Sequence, residues 1–443
     1  MKSILKMHVS SNLIASILLF LAAIVAAVVA NSPWAPYYLK FLDQELYLRV
    51  GEFNLFSHGG HPLKMLDFIN DCLMTIFFLS VGLEIKRELL VGELSSFRKA
   101  SLPIIAACGG MLFPVLIFSL IVPSGSPEMR GCAIPMATDI AFSLGVLSLL
   151  GRRVPLSLKI FLTAFAVADD IGGILVIAFC YSDHVALNYL LIAVFLYAFL
   201  YYMGRRGATA KILYLSVGVI IWYLFLQSGI HSTISGVILA FMFPARPHLE
   251  AGRYIEQIRS IIRTFPVSDK EEIVLNNDQI KMLKKVEQAS DFVISPLQSM
   301  ENNLHGMVNF LILPLFAFAN AGVVFSSGGS VVGDVSIAVA VGLLLGKFIG
   351  IFSFTWLTIK CRIAPMPHGM NWKNIAGVSL LGGIGFTVSL FIANLSYAAQ
   401  HPDMLNQAKF GVLCGTIIAG ILGYTVLHIV LPAPPEHTPQ KEN

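Results

Sequence analysis

The chain has 443 residues, of which 56% are hydrophobic and 13% charged, with a mean hydropathy of +0.76 and a formal net charge of +4. That charge content is about half the share of a soluble domain, which excludes a soluble enzyme with one anchor and predicts a polytopic, all-α membrane protein. The small positive balance follows the loops, so no nucleic-acid partner is expected.

The chain opens with Lys2 and Lys6 ahead of an apolar run from Leu13 to Ala30. The run is long for a signal h-region and many spans follow, so it reads as a first membrane helix. Apolar windows predict twelve spans, near 12–30, 66–84, 101–123, 131–150, 155–181, 187–203, 211–226, 229–244, 306–325, 335–358, 374–399 and 408–431. Residues 1–431 thus form one integral membrane domain, with a cytoplasmic loop at 246–304 and a short cytoplasmic tail at 432–443. The six cysteines (Cys72, Cys108, Cys132, Cys180, Cys361 and Cys414) are scattered and read as small core residues.

Between spans one and two, residues 46–56 alternate around Gly51-Glu52, a pattern equally compatible with a short outer β-hairpin and with a plain loop. A hairpin edge there would suit pairing with a second subunit. Span two ends in Glu84-Ile85-Lys86-Arg87-Glu88, which reads as a solvated helix end. Span four carries Pro135-Met136-Ala137-Thr138-Asp139 near its centre; proline removes a backbone donor, and Thr138 and Asp139 can engage the freed groups.

Span five carries Asp169-Asp170 inside an otherwise apolar stretch. One ionised carboxylate at bilayer depth costs at least about 2.5–3.5 kcal/mol, and neighbouring carboxylates also repel each other. His231 opens span eight beside Ser232 and Thr233, either simply hydrogen-bonded or responsive to pH. In the loop before span nine, Tyr254, Ile255, Ile258, Ile261, Ile262 and Phe265 form an apolar stripe accompanied by Arg253, Arg259 and Arg263. That stripe suits a helix on the membrane surface, or a helical extension packed on its own protein. Span ten carries Lys347, and span eleven carries Gly382-Gly383-Ile384-Gly385-Phe386-Thr387, flexible and break-prone.

Assigning loops to alternate sides puts 24 lysines and arginines on one side and five on the other, with Lys347 inside a span. The positive-inside rule then places both termini in the cytoplasm, and the asymmetry supports the register of twelve. Spans 3–5 and 10–12 run in opposite directions, each with an interrupted middle member. Paired interruptions in inverted halves point to a secondary-transporter site near the midplane. Crossed half-helix ends would carry partial charges there, and Asp139 and Lys347 are the groups able to balance them.

Adjacent helical residues point about 100° apart, so one of Asp169 and Asp170 can face a cavity while the other faces a neighbouring helix. Lys347 is then the natural partner for one of them. Low dielectric disfavours the charged forms of both residue types, which brings proton exchange within reach of physiological pH. Carboxylates, Thr hydroxyls and unwound carbonyls are the oxygen ligands that a hard cation such as Na⁺ prefers. If cation and protons compete for the same carboxylates, exchange follows without a separate coupling device.

Phe78–Leu89 (FLSVGLEIKREL), Ala137–Phe142 (ATDIAF), Ala168–Gly172 (ADDIG), Leu313–Gly322 (LPLFAFANAG) and Gly382–Thr387 (GGIGFT) together resemble the bacterial NhaA-type Na⁺/H⁺ antiporter family, over about residues 10–430. The resemblance implies a secondary active transporter and not an enzyme. Its activity would be electrogenic exchange of cytoplasmic Na⁺ or Li⁺ for external protons, without a cofactor, in the inner membrane, serving sodium and pH homeostasis. It also implies a homodimer joined partly through the outer hairpin. By motif position, Asp170 is the principal Na⁺ ligand with Asp169 and Thr138 nearby, Lys347 pairs with Asp169 and carries protons, and Asp139 balances the crossed helix ends. Glu84, Glu88, His231 and Glu301 fall where the family senses pH. Asn302 replaces a histidine of well-known members, and the loop before span nine is longer, so the pH set-point is left open.

Rival readings are weaker. An intramembrane aspartyl protease needs its carboxylates on two facing helices, and no GxGD occurs. A passive cation channel has less use for interrupted inverted helices, and a metal enzyme lacks an HExxH or histidine cluster.

Overall fold

The computed structural model describes residues 11–51, 53–58, 61–181, 186–245, 251–264, 276–325, 331–398 and 400–432. Twelve helical segments among them form a multi-pass bundle: span one (Ser11–Ala30), then two (Met65–Val91), three (Phe97–Ile121), four (Pro127–Met136 with Ile140–Leu149), five (Leu156–Cys180), six (Leu187–Arg205), seven (Lys211–Ser228), eight (Thr233–Met242), nine (Pro296–Asn320), ten (Asp334–Lys360), eleven (Trp372–Leu381 with Phe386–Tyr397) and twelve (Pro402–Val430). Spans four and eleven are each bent by 44° at a short break. The predicted interruptions at Thr138-Asp139 and at Gly382–Gly385 fall at those breaks.

The two triplets are inverted and interlocked. Span three lies antiparallel against span ten, and glycines let the backbones touch. A Cβ on Gly109 would stand 2.3 Å from the Gly350 carbonyl oxygen, and one on Gly346 would stand 2.7 Å from the Pro114 Cα. The contacts run 109 to 350, then 114 to 346, in opposite chain directions. Spans eleven and twelve pack against each other, and span five packs on span three. Outside the triplets, spans two and eight are tightly apposed, and span one rests on span nine and on the second half of span four.

Three spans contain a π-turn among the described residues: Ile69–Leu73 in span two, Val308–Ile312 in span nine and Gly342–Gly346 in span ten. Each inserts an extra residue into its turn and rotates the rest of the helix about its axis; the last one directly precedes Lys347.

One end of the bundle carries a helix, Ala35–Leu42, which the apolar windows did not show because it is only eight residues long. It is followed by two small antiparallel ribbons, Arg49–Val50 with Phe53–Asn54 and Ser57–His58 with His61–Pro62. The alternation over 46–56 therefore is a hairpin, and a second one follows it. Leu46 N–H donates to the Leu63 carbonyl at 2.9 Å and closes the pair onto span two. Glu52 lies outside the described residues.

Several boundaries differ from the sequence reading. Span eight has ten residues in place of sixteen, because Gly229 at φ +82° and the turn through Ser232 delay its start. Span nine begins at Pro296, not near 306, because Ser295 caps it by accepting from the Gln298 N–H at 3.2 Å. The expected loop to 304 therefore stops at 295. Within it, helices Ala251–Thr264 and Asn277–Val293 pack on each other. Phe265, part of the apolar stripe, lies outside the described residues, as does the tail from 433 onward.

Candidate functional site at the crossing of spans four and eleven

At the two breaks, backbone groups that a continuous helix would satisfy are left to find other partners. Asp139 takes two of them at once. Its Oδ1 accepts the Phe142 N–H at 3.0 Å, and its Oδ2 accepts the Thr387 N–H at 3.1 Å and the Thr387 Oγ1 proton at 2.7 Å. One carboxylate thus caps the N-termini of both second half-helices, where the helix dipoles are positive. The Asp139 N–H in turn donates to the Ile384 carbonyl at 2.7 Å.

Hydroxyls serve the carbonyl ends. Thr138 Oγ1 donates to Gly382 O at 2.9 Å, Ser143 Oγ to Leu381 O at 3.1 Å and Ser389 Oγ to Ile134 O at 2.8 Å. Lys347, expected to help balance these ends, does not bond them. Its Nζ meets Asp169 Oδ2 at 2.6 Å, with both side chains fully buried and the Phe165 ring 5.7 Å away. The hydroxyls already satisfy the carbonyls, which leaves the ammonium to the buried carboxylate that needs it most.

Asp169 and Asp170 part company as the 100° helical step requires. Asp169 is 2% exposed and sits behind span five with Lys347. Asp170 is 9% exposed and lines a cavity of 660 Å³ with Thr138, Asp139 and Thr387. Thr138 and Thr387 commit their hydroxyl protons to Gly382 O and Asp139 Oδ2, so their lone pairs stay available. A carboxylate beside two such hydroxyls is an oxygen-rich place for a hard cation.

The cavity opens at the end of the bundle opposite the hairpins, where Glu84, Arg87, Glu301, Asn302 and His305 line it. Arg87 is the hub: its Nε lies 2.9 Å from Glu301 Oε1, one terminal nitrogen 3.0 Å from Glu88 Oε1 and the other 4.0 Å from Glu84 Oε1. The reading of Glu84 to Glu88 as a solvated helix end is therefore wrong. Span two continues to Val91 and Glu88 is 8% exposed. Mutual pairing, supplied in part by Glu301 from span nine, buries Glu88 and half-buries Glu84 and Arg87 at the cavity mouth.

Comparison with known proteins adds an independent line. The profile of the family described as Na⁺/H⁺ antiporter 1 matches residues 6–427. The chain belongs to that family. It is 70% identical over 423 residues to the Na⁺/H⁺ antiporter NhaA of Bacteroides thetaiotaomicron, covering 96% of each chain. It is 48% identical over 434 residues to that of Porphyromonas gingivalis, covering 96% of this chain and 94% of the other. A solved structure, the sodium proton antiporter MjNhaP1 of Methanocaldococcus jannaschii at pH 8, aligns with a TM-score of 0.47 and 14% identity over 95% of this chain and 99% of that one.

In this antiporter-family chain His231 does not join Glu84, Glu88 and Glu301. Span seven carries the chain to the hairpin end, so His231 opens span eight there and lines a second cavity, of 540 Å³, with Asp71, Asp67 and Lys64. Its Nε2 is 3.8 Å from Asp71 Oδ1, and its ring stands edge-on to Phe391 at 5.2 Å. Asp71 was missed as a candidate although it lies inside a predicted span; the rule that singled out Asp169 and Asp170 applies to it equally. Thr387 was visible as part of its glycine-rich motif, but its bond to Asp139 spans 248 residues and has no local signal. Phe391 also packs on Phe78 and Phe316, at 5.7 and 6.4 Å, and lies one helical turn beyond Val388 of the first cavity while touching His231 of the second.

Proposed function

We propose that this chain exchanges Na⁺ for H⁺ across a membrane by alternating access, with Asp170 and Asp169 as the groups that cation and protons share. The observation that carries the reading is the split of the aspartate pair: one is locked to Lys347, the other opens onto a cavity beside Thr138 and Thr387. A cation entering that cavity meets the Asp170 carboxylate and displaces its proton. Weakening of the Asp169–Lys347 pair then frees a second proton-carrying group, so that more charge moves as H⁺ than returns as Na⁺ and the exchange is electrogenic.

Li⁺, smaller and equally hard, suits the same oxygens, whereas K⁺ is larger and holds them more weakly. The rings of Phe78, Phe316 and Phe391 beyond the first cavity favour a carrier that is open to one side over a channel. Charge asymmetry supports an inner-membrane protein with both termini cytoplasmic, so that the 660 Å³ cavity opens to the cytoplasm and cytoplasmic Na⁺ enters the carrier there. The outer ribbons, each two strands wide among the described residues, support a homodimer, and the Arg87 carboxylate cluster at the cavity mouth is the group we assign to pH control.

The test is dequenching of a pH-sensitive dye in everted vesicles with an acidic interior. Addition of Na⁺ or Li⁺, but not K⁺, is expected to raise the internal pH. Asp170→Asn is expected to abolish the response while the protein still reaches the membrane. Full exchange by that variant would remove Asp170 as the shared ligand.

A further inference from the structure

Beyond Phe391, on the hairpin side, three asparagines from three spans form a chain, two of them buried and Asn70 half-buried. Asn394, on the second half of span eleven, donates through Nδ2 to Asn320 Oδ1 at 2.8 Å, and Asn320, at the end of span nine, donates through Nδ2 to Asn70 Oδ1 at 2.8 Å. Asn70 sits in the π-turn of span two, next to Asp71 of the hairpin-side cavity. Each middle amide also serves its own helix, Asn394 Nδ2 to Leu390 O at 2.9 Å and Asn320 Nδ2 to Phe316 O at 3.0 Å. All the N–H groups of Asn394 and Asn320 are thereby used, and only Asn394 Oδ1 is left without a partner. Asn320 is fully buried and Asn394 is 7% exposed.

The two links in this chain are not equivalent. Asn70 and Asn320 both belong to spans outside the inverted triplets, and the end of span nine packs directly on the π-turn of span two. Asn394 belongs to the triplets, one helical turn beyond Phe391. If the triplets rock as a unit against the other spans, the Asn70–Asn320 bond is internal to one body and the Asn320–Asn394 bond crosses between the two. We propose that the Asn320–Asn394 bond is a latch that holds the hairpin-side path closed, and that it breaks each time the site opens to that side. The proposal rests on the alternating-access reading above. A neutral amide pair suits the task. Side-chain hydrogen bonds within membranes are strong enough to bias an equilibrium threefold to roughly twentyfold, and weak enough to break in every cycle. The bond lies where it can act on the aromatic cluster, because Asn394 and Phe391 share a helix face and Phe391 touches Phe78, Phe316 and His231.

The test uses the full chain with its six cysteines replaced by serine and Ile177→Cys introduced as a reporter. Ile177 is 1% exposed and lines a small apolar space beside Phe78 and Thr233. Labelling by a membrane-impermeant maleimide is measured in right-side-out and everted vesicles. Asn394→Leu, which keeps the shape and removes the amide, is expected to speed labelling about threefold to twentyfold from the hairpin side only. Its apparent Na⁺ affinity from the opposite side should fall by a similar factor. Asn70→Leu is expected to lower thermal stability and leave labelling within twofold of the parent.

If Asn394→Leu and Asn70→Leu both lower stability without changing the labelling rate, the chain merely holds the helices together and the latch is overturned. Equal acceleration by Asn70→Leu and Asn394→Leu would overturn it as well. Should Asn394→Leu not accumulate, Asn320→Leu breaks the same bond and is read in the same way. Labelling needs no transport, so Na⁺-driven exchange by the parent, measured alongside, tests the antiport reading separately.

Discussion

At the scale of single residues, the site depends on locking one buried carboxylate to a lysine and leaving its neighbour open to a cavity. The side chains of Lys347 and Asp169 have no exposed surface, so removing either leaves the other uncompensated in low dielectric. Lys347→Ala is expected to destabilise the protein by about 3–5 kcal/mol, and the double variant Lys347→Met/Asp169→Asn to recover most of that loss. Thermal unfolding in detergent reads both, and an additive double variant would mean that the pair is not coupled in the folded protein. The same replacement of Lys347 by alanine is expected to weaken voltage-driven exchange more than Na⁺ binding; equal loss of both would argue against a proton-carrying lysine. Asp139 has a different duty, because it caps two half-helices at once. Asp139→Ala removes both caps and should cost about 2 kcal/mol or more, whereas Asp139→Asn keeps the acceptor for one of them and should cost less. Equal melting temperatures for the two variants would show that the charge, and not the capping, is what matters.

At the scale of elements, what was legible in the sequence followed from rules of long range along the chain. Hydrophobic length gave the spans, charge asymmetry fixed their register, and Pro135 with Thr138-Asp139 and the glycines at 382, 383 and 385 marked the two breaks. What was not legible depends on contacts between distant segments. Span two continues through Glu84, Arg87 and Glu88, where Glu301 pairs with Arg87 from 214 residues away. The π-turn at Gly342–Gly346 carries no composition signal beyond its bounding glycines, yet it sets the direction in which Lys347 points. Asp169 and Asp170 could be separated by helical geometry, but which of them met Lys347 was supplied by family resemblance and not by spacing. The glycine contact between spans three and ten gives a prediction of its own. A side chain at Gly350 would meet the Gly109 carbonyl oxygen 2.1 Å from its Cβ, and backbone cannot give way there as a flexible side chain can. Gly350→Val should therefore separate the triplets and sharply reduce the folded fraction in size-exclusion chromatography, while Gly306→Val, whose Cβ meets nothing within 4 Å, should not. A well-folded Gly350→Val would mean that the two helices do not need this approach.

For the molecule as a whole, the question is how much charge one cycle carries, because that decides which gradient can drive it. Two carboxylates lie side by side, and one lysine stands against one of them. If a single Na⁺ replaces protons from both the open and the locked group, each cycle moves one net positive charge. The membrane potential then contributes about 2.3 kcal/mol per 100 mV to that charge. At 1.36 kcal/mol per tenfold, the Na⁺ gradient at equilibrium should move about 50-fold when 100 mV is imposed at constant pH. Vesicles reconstituted with the purified protein, loaded with ²²Na⁺ and clamped with valinomycin and K⁺, give this ratio directly. A shift near 50-fold fixes one net charge per cycle and requires the second proton to come from the Asp169–Lys347 pair or from a group coupled to it. No shift would make the exchange electroneutral, with Asp170 alone shuttling one proton for one Na⁺ and the buried pair reduced to a structural strut. Repeating the measurement with Lys347→Met/Asp169→Asn separates these cases: the potential dependence should disappear while residual exchange through Asp170 continues.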